Sequence, residues 1–259
     1  MPSAKDDRSA STHRQCDDYL CRTLGVIDLS AARAVHAIAG QRSEYKPLQC
    51  ELTSSGDAVE LAEGYLRMGV GGLYVADLDA IESSGSNEAI IRELADLDCP
   101  LWIDCGTRTL PLAIKRHDVV SIIGTESIDA VADIKEIAQQ IPVERIALSL
   151  DLMNGQLRFR DRKNRSVSLT EAVQRAAQIG VRRFIVLELS AVGTASGPPT
   201  AEICRRIKHE LPDTQIISGG GVRSARDLQI LEKSGCERFL IGTALHGGRK
   251  KFVFGAGSC

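Results

Sequence analysis

Two aspartates at equivalent positions of an internal repeat are the first candidates for chemistry. Asp28 ends the apolar segment LGVID, and Asp151 ends the apolar segment RIALSLD. Aligning the two aspartates superposes residues 26–37 on residues 149–160. Two carboxylates that face each other across a substrate can act as general base and general acid when their environments separate their pKa values. The alternative interpretation is that each aspartate only caps the turn after its strand.

Three other carboxylates follow apolar segments and are candidates for supporting roles: Asp77, Asp104 and Glu188. Asp77 and Asp79 flank Leu78, so we expect one of the two carboxylates to face the site and the other to hold a loop. Glu188 occupies the equivalent point in the second half of the chain.

Glycine-rich loops late in the chain predict a phosphate site. The sequence SGGGV occupies residues 218–222, and IGTA occupies residues 241–244. Backbone N–H groups of such loops bind phosphate at the mouth of many barrels, and glycine allows the anion to approach closely. Glycines also make tight turns, which is the alternative. The residues expected to bind phosphate are Gly219, Gly220, Gly221, Gly242 and Thr243.

The equivalent loop of the first half has changed. Residues 104–108 read DCGTR and keep one of the three glycines. The carboxylate of Asp104 repels an anion unless Arg108 or another base neutralises it. We therefore expect a second phosphate site to be weaker, and we assign it to Gly106, Gly124 and Thr125.

The remaining reactive side chains receive less specific interpretations. A basic cluster is interpreted as a solvated loop, or alternatively as a loop that closes over an anionic substrate: Arg158, Arg160, Arg162, Lys163 and Arg165. Four histidines in separate segments are expected at the surface: His36, His117, His209 and His246. Cys105 is expected to be an inert thiol. The eight cysteines show no C-x-x-C pair and no neighbouring histidine, so we predict no metal site, and no cofactor is indicated.

Eight short apolar segments must position these side chains. They alternate with segments of helical periodicity, which is typical of βα units around a parallel sheet. The predicted strands are 24–28, 71–77, 100–104, 119–124, 145–151, 183–189, 214–219 and 238–242. The predicted helices are 58–69, 87–97, 110–117, 128–141, 168–180, 200–211 and 224–235.

This pattern contains no long linker and favours one α/β domain, a single (β/α)8 TIM barrel, over a doubly wound open sheet. We assign residues 21–249 to the barrel, residues 1–20 to a flexible N-terminal extension and residues 250–259 to a C-terminal tail. Segments of the first half match segments of the second in the same order: 73–85 with 184–197, 103–109 with 218–224, and 121–127 with 239–245. A half-barrel duplication is the simplest explanation.

Composition narrows the class of protein. The chain is 43% hydrophobic and 25% charged, as ordinary soluble domains are. No apolar segment approaches the roughly 18 residues of a membrane span. The net charge of -2 gives no basic excess for nucleic acid. The first twenty residues lack the apolar core of a secretory signal, so we expect a cytoplasmic protein with reduced cysteines.

Residues 24–249 resemble the barrel family of the ProFAR isomerase and the cyclase subunit of imidazole-glycerol-phosphate synthase. The likeness lies in VIDLSAARAVHAIAGQRSEYKP (26–47), ADLDAI (76–81), IIGTES (122–127), LSLDLMNGQLRF (148–159), GTASGP (193–198), SGGGVRS (218–224) and IGTAL (241–245). It implies a bis-phosphorylated aminosugar substrate, two opposed phosphate sites and no metal. In the isomerase branch the ribose ring opens, a Schiff base forms and a proton leaves C2, which is an Amadori rearrangement. Asp28 matches the base of that branch and Asp151 its strand-five aspartate.

The chain departs from the family at two points. Leu187 and Val192 stand where the isomerases carry a threonine and the acidic aspartate of strand six, and Asp104-Cys105 replaces two glycines. We expect a sugar-phosphate isomerase of the intramolecular oxidoreductase class, related to histidine biosynthesis and acting on a phosphorylated sugar or aminosugar. The alternatives are a paralogue that catalyses another step on a phosphorylated substrate, for example in tetrahydromethanopterin-linked one-carbon metabolism, and a non-catalytic subunit that binds a phosphorylated ligand. No glutaminase partner is indicated.

Overall fold

A closed barrel of parallel strands forms the centre of the protein. The computed structural model describes residues 18–107, 114, 116, 118–161 and 167–248. Its strands are β1 (Thr23–Ser30), β2 (Arg33–Val35), β3 (Leu73–Asp77), β4 (Leu101–Asp104), β5 (Val119–Gly124), β6 (Ile146–Met153), β7 (Gln156–Leu157), β8 (Arg183–Glu188), β9 (Gln215–Gly219) and β10 (Cys236–Ile241). The parallel order is β1-β3-β4-β5-β6-β8-β9-β10, and β10 pairs again with β1. This closure confirms the predicted (β/α)8 barrel and excludes the open sheet.

Helices connect the strands and cover the outside of the barrel. They are α1 (Ala58–Arg67), α2 (Leu78–Ile81), α3 (Glu88–Ala95), α4 (Ile134–Ile137), α5 (Leu169–Ile179), α6 (Ala201–Glu210) and α7 (Ala225–Lys233). Five predicted helices are confirmed with slightly shorter bounds, and most of the predicted helix 110–117 lies outside the described residues. Local sequence fixes the ends of the helices: Ser168 accepts a hydrogen bond from the N–H of Glu171 before α5, and Gly180 ends α5 with a φ of 112°.

The predicted helix 128–141 is wrong in its length. The segment forms a 3-10 turn over Val131–Asp133 followed by the four residues of α4. The carboxylate of Asp133 accepts hydrogen bonds from the N–H groups of Asp129 and Ala130, at 2.9 and 3.0 Å. This local bonding competes with a continuous helix, because aspartate stabilises turns as readily as helix starts.

Alternation along the strands decides which carboxylates enter the barrel. In β1, Leu24 and Val26 pack with the apolar side chains of the barrel interior, so Asp28 continues the interior face. In β4, Trp102 packs in the same interior cluster and Asp104 follows it two residues later. Asp28 and Asp104 are therefore brought to the inner mouth by strand geometry.

The same alternation turns two other candidates outward. In β3, Tyr74 and Ala76 are interior residues, so Asp77 belongs to the opposite face. In β8, Leu187 packs against the interior cluster and Glu188 therefore faces away from it. Neighbouring residues of a strand point to opposite faces, so one position along the strand decides whether a carboxylate faces the barrel mouth or the surrounding helices.

Two equivalent hairpins support the half-barrel duplication. The antiparallel strands β2 and β7 follow the first and fifth barrel strands. Each hairpin turns through two residues of positive φ, Ala31 and Ala32 at 50° and 61°, and Asn154 and Gly155 at 53° and 75°. The positions agree with the alignment of Asp28 on Asp151, so the repeat extends from the sequence to the backbone.

The last residues of the predicted N-terminal extension pack against the barrel. Tyr19 and Leu20, the last residues assigned to the N-terminal extension, are both 1% exposed, and Tyr19 packs edge-on against Phe239. Residues 1–17 and the predicted tail 250–259 lie outside the described residues. Within the described ranges, no helix combines the length and apolar composition needed to cross a membrane.

Candidate active site

The mouth of the barrel contains two adjoining cavities. The first, which we name the carboxylate cavity, has a volume of about 210 Å³ and is lined by Asp28, Arg42, Asp104, Glu126, Asp151 and Arg158. The second, the glycine-loop cavity, has a volume of about 760 Å³ and is lined by His36, Gly220, Gly221, Arg223, Gly242 and Thr243. Asp28, Tyr74, Leu187 and Val192 line both cavities, so the two form one continuous site.

Asp28 faces the junction of the two cavities. No described residue donates a hydrogen bond to its carboxylate, which is open to both cavities. Burial raises the pKa of Asp28 to about 6, and the positive charge of Arg42 partly opposes this effect. At neutral pH this carboxylate is mostly ionised and has the basicity of a general base.

Asp151 lies at the end of β6, on the interior face that Ala147 also occupies. Its Oδ1 accepts a hydrogen bond of 2.7 Å from the hydroxyl of Ser149, and its backbone N–H donates to Oγ1 of Thr125 at 3.0 Å. Burial and the negative charge of Glu126 raise the pKa of Asp151 to about 7. Asp151 therefore exchanges a proton near neutral pH.

Asp104 is the third carboxylate of the mouth and is 5% exposed. Its Oδ1 accepts a hydrogen bond of 3.0 Å from the N–H of Gly106. Burial, followed by the charge of Asp151, holds the pKa of Asp104 well above its ordinary range. Asp104 and Asp151 thus disfavour each other's ionised forms.

Arg42 is a cation that lines the carboxylate cavity. It pairs with Glu126 and, at 3.5 Å, with Glu82. These two carboxylates and Tyr45 raise the pKa of Arg42 against the opposing effect of burial, which is the largest single influence on it. The guanidinium is therefore charged and already held by two partners.

The loops after β8 and β9 shape the glycine-loop cavity. Gly220 and Gly221 have φ of 77° and 73°, which glycine adopts without strain. A Cβ on Gly221 would lie 2.4 Å from the carbonyl oxygen of Gly197, whose N–H donates to the carbonyl of Gly221 at 2.8 Å. The glycines thus allow two loops to pack together. Gly219 belongs to the packing rather than to the cavity, because its Cβ would meet the carbonyl oxygen of Leu240 at 2.1 Å.

The last strand completes this cavity. Gly242 precedes the 3-10 turn Thr243–Leu245 and, with Thr243, lines the cavity. Across the cavity, Arg223 binds the carboxylate of Asp227 at 2.8 and 2.9 Å, which raises the pKa of Arg223. The turn and the glycine loop therefore approach the cavity from adjacent strands.

Residues assigned to the weaker second phosphate site lie against carboxylates. The N–H of Gly106 donates to the carboxylate of Asp104, and Oγ1 of Thr125 accepts the backbone N–H of Asp151. A Cβ on Gly124 would lie 2.8 Å from Oδ2 of Asp151 and 3.5 Å from Oδ2 of Asp104. Gly124 thus makes room for two acidic side chains.

Asp77 and Asp79 both hold loops. Asp77 is fully buried and accepts hydrogen bonds from the N–H of Ala80 at 3.1 Å and from the N–H and side-chain amide of Asn87 at 2.8 and 2.7 Å. Asp79 accepts from the N–H of Ala31 at 2.8 Å, in the turn between β1 and β2. Neither side chain is among those that line the two cavities.

Glu188 holds the equivalent turn of the second half. Its carboxylate accepts from the N–H groups of Asn154 and Gly155 at 2.9 and 2.8 Å and from the hydroxyl of Ser190 at 2.6 Å. Burial alone would raise the pKa of Glu188, but the hydrogen bonds, that of Ser190 foremost, lower it. Glu188 stays an ionised anchor for the β6–β7 hairpin.

Two histidines expected at the surface line the glycine-loop cavity instead. The ring of His36 lies 3.3 Å from the hydroxyl of Thr243, and His246 lies 3.1 Å from the hydroxyl of Tyr65. Burial and then the neighbouring His36 lower the pKa of His246 to about 4, so this ring is neutral at pH 7. The sequence contained one indication of this: His36 and His246 follow the ends of β2 and β10, and site residues of a barrel lie just after its strands.

The other sequence candidates are placed as follows. Arg158 reaches the carboxylate cavity, while Arg160 pairs with Asp129 on the surface. Arg108, His117, Arg162, Lys163 and Arg165 lie outside the described residues. Cys105 is 2% exposed. Among the described side chains, no group of three or more His, Cys, Asp or Glu has the geometry to hold a metal ion.

The fold and the mouth together define a TIM barrel of duplicated half-barrels with acidic side chains at the C-terminal ends of its strands. The sequence profile of the family described as "Histidine biosynthesis protein" matches residues 22–251. The chain belongs to this family.

Relatives agree with this assignment over most of the chain. An uncharacterized protein of Methanocaldococcus jannaschii is 32% identical over 232 residues, which cover 88% of this chain and 94% of the relative. The phosphoribosyl imidazole-4-carboxamide isomerase of Thermus thermophilus is 27% identical over 233 residues, covering 88% and 95%. Phosphoribosyl isomerase A of Streptomyces coelicolor is 27% identical over 234 residues, covering 88% and 92%.

Proposed function

We propose that the protein is an isomerase that moves a proton between adjacent carbons of a phosphorylated aminosugar. One observation supports this most strongly: Asp28 and Asp151, at equivalent strand ends, line one cavity with pKa values raised to about 6 and about 7. A general base and a general acid that work at neutral pH need pKa values of this kind. The isomerases among the relatives support the same reaction class.

The proposed reaction is an aldose–ketose rearrangement of the Amadori type. Asp151 donates its proton to the ring oxygen as the bond between that oxygen and C1 breaks, which leaves a protonated imine at C1. Asp28 then removes the proton of C2, the electron pair of the C–H bond forms the C1–C2 double bond of an enaminol, and the electron pair of the C=N double bond returns to nitrogen. The proton held by Asp28 passes to C1 and the enol O–H proton returns to Asp151, which gives the aminoketose and restores both carboxyl groups. No external oxidant or reductant is required.

The phosphate of the substrate is assigned to the glycine-loop cavity. Gly220, Gly221, Gly242 and Thr243 line this cavity, and exposed backbone N–H groups of such loops suit an anion. His36 lies beside Thr243 and adds a titratable donor. Asp28 borders the same cavity, so a phosphate bound there places the attached carbons next to the base.

The apolar side chains of Leu187 and Val192 favour a second candidate. They line both cavities at positions where the resembling isomerases carry a threonine and an acid. The second candidate is a paralogue that uses Asp28 and Asp151 for a different step on a phosphorylated substrate. A non-catalytic binder is the third, and it predicts binding without turnover.

The test measures binding and chemistry separately. The purified protein is assayed with ProFAR by ultraviolet absorbance, and exchange of the C2 proton of ribose 5-phosphate is followed by NMR in D₂O. We expect exchange that falls at least ~100-fold in Asp28→Asn, since a general base contributes about 10²- to 10⁴-fold. Asp129→Asn, at an exposed aspartate paired with Arg160, is the matched control and should leave the rate unchanged. Binding without either reaction in the wild type would contradict the isomerase proposal.

A further inference from the structure

We propose that the carboxylate cavity binds a positively charged amine of the ligand, so that the ligand carries one phosphate, in the glycine-loop cavity, and no second phosphate. The inference rests on the proposed function for the phosphate end. It goes beyond that function by naming the chemistry of the opposite end, where the resemblance implies a second phosphate.

The charge of the carboxylate cavity is the first argument. Its described lining contains five carboxylates and two guanidiniums, namely Asp28, Glu82, Asp104, Glu126, Asp151, Arg42 and Arg158. Arg42 is already paired with Glu126 and Glu82. Arg158 is exposed, at the rim. Burial and the neighbouring carboxylates keep Asp104 and Asp151 partly protonated, so a bound cation would favour their ionised forms, whereas a phosphate would add to the repulsion.

Carboxylate oxygens that receive no hydrogen bond from a described residue are the second argument. Asp104 is 95% buried and its Oδ1 receives the N–H of Gly106, but no described residue donates to its Oδ2. The carboxylate of Asp28 likewise receives no hydrogen bond from a described residue, and both side chains line the cavity. Both carboxylates open into the cavity, where a ligand that carries hydrogen-bond donors can reach them. An ammonium group supplies three donors and no acceptor.

The loss of phosphate donors is the third argument. A second phosphate site needs N–H and O–H groups that point at the anion. The N–H of Gly106 is used by Asp104. Thr125 is fully buried, and its oxygen accepts the N–H of Asp151. Among the described residues after β4 and β5, the N–H groups of Gly106 and Glu126 donate to the carboxylates of Asp104 and Asp151, at 3.0 and 3.4 Å.

The shape of the cavity is consistent with a small cationic group. The absence of a side chain on Gly124 lets Oδ2 of Asp104 and Oδ2 of Asp151 approach the same point, 3.5 and 2.8 Å from where its Cβ would be. Two acidic oxygens that converge in this way give a compact amine more than one partner. The amine then lies next to Asp28 and Asp151, which are the residues proposed to move protons.

Two matched pairs of ligands test the inference by isothermal titration calorimetry at pH 7 with EDTA present. Glucosamine 6-phosphate and glucose 6-phosphate differ by one amine, and fructose 1,6-bisphosphate and fructose 6-phosphate differ by one phosphate. We expect the amine to tighten binding about tenfold and the second phosphate to weaken it about tenfold, as expected for one charge interaction in a partly buried site. Equal or tighter binding of the bisphosphate, or no gain from the amine, would overturn the inference.

Asp104→Asn isolates the carboxylate, because an amide oxygen can still accept the N–H of Gly106. In this variant, the preference for glucosamine 6-phosphate over glucose 6-phosphate should fall at least threefold. The preference for fructose 6-phosphate over fructose 1,6-bisphosphate should fall by at least the same factor. Asp129→Asn should change neither ratio. Thermal unfolding of both variants verifies that they are folded, and unchanged ratios in a folded Asp104→Asn protein would contradict the assignment of the amine to this cavity.

The two proposals fail in different ways. If all four ligands bind with the expected ratios while no C2 exchange occurs with any phosphorylated sugar, the isomerase fails and the amine site stands. If no phosphorylated ligand binds, the phosphate assignment fails and the inference fails with it. If exchange occurs but the ratios are absent, only the amine site is wrong.

Discussion

The carboxylate of Asp151 leaves too little room for a side chain at Gly124: a Cβ on Gly124 would lie 2.8 Å from Oδ2 of Asp151. The backbone of Gly124, with φ of -75° and ψ of 138°, is open to any residue. The glycine is therefore required by the carboxylate and not by its own conformation.

Substituting Gly124→Ala should displace the Asp151 carboxylate and reduce turnover at least tenfold, because small errors in the position of an acid have large effects on rate. The free energy of unfolding should change by less than about 1 kcal/mol, since the side chain of Asp151 can move where backbone cannot. Gly85→Ala, whose Cβ would lie 3.4 Å from Asp79, is the control. Unchanged kinetics in Gly124→Ala would show that Asp151 is not positioned for the reaction.

The pH profile of turnover should be a narrow bell. Activity rises as Asp28 ionises, with a pKa of about 6, and falls as Asp151 loses its proton, with a pKa of about 7. The measurement is kcat/KM from pH 4.5 to 9 for the wild type and for Asp151→Asn. The alkaline limb should disappear or move in the variant, and an identical bell in both proteins would remove Asp151 from the acid role.

Stability should respond to the same groups with a defined sign. The pKa of Asp28 is higher in the folded protein than the ordinary 3.8, so between about pH 4 and 6 the folded state holds more protons and stability falls as pH rises. Replacing Asp28 by Asn should therefore raise the free energy of unfolding at pH 7 by about 3 kcal/mol, and have little effect near pH 4. Denaturant unfolding at both pH values measures this. If Asp28→Asn were instead less stable than the wild type at pH 7, other interactions of the folded protein would already offset the cost of burying the Asp28 carboxylate.

Gly221→Ala should weaken binding of a phosphorylated ligand at least tenfold. The new methyl group would lie 2.4 Å from the carbonyl oxygen of Gly197 and separate the two loops. Gly155→Ala has a nearly equal φ of 75° and no atom within 4 Å, so it reproduces the backbone cost without the contact. Titration with fructose 6-phosphate should show at least a tenfold loss for the first variant only. Equal losses in both would assign the effect to backbone strain.

The hairpin turns allow a stability experiment away from the chemistry. Ala31 and Ala32 have φ of 50° and 61°, which suit Asn-Gly far better than Ala-Ala. The double change Ala31→Asn and Ala32→Gly should raise the free energy of unfolding by about 1 kcal/mol. Thermal and denaturant unfolding measure the gain. A loss of stability would mean that the bonds from Asp79 and Asn87 fit only the present turn.

Strand positions were predictable from the sequence because buried segments of five to seven apolar residues are distinctive. The side to which their terminal carboxylates point was also encoded, since Asp28 shares the parity of Leu24, and Asp77 has the parity opposite to Tyr74. The sequence does not reveal which face is the interior until closure is known. The contact between His36 and Thr243 could not be predicted either, because 207 residues separate them and only the pairing of β1 with β10 brings them together.

That pairing has a consequence for synthesis of the protein on the ribosome. β1 emerges first and carries Asp28, whereas its neighbour β10 and the turn that carries Thr243 emerge last. A nascent chain therefore exposes one edge of β1, together with its acidic residue, for almost the whole of translation. Completion of the last strand covers that edge and brings Thr243 beside His36 in the same event, so a chain stalled before β10 lacks this side of the glycine-loop cavity.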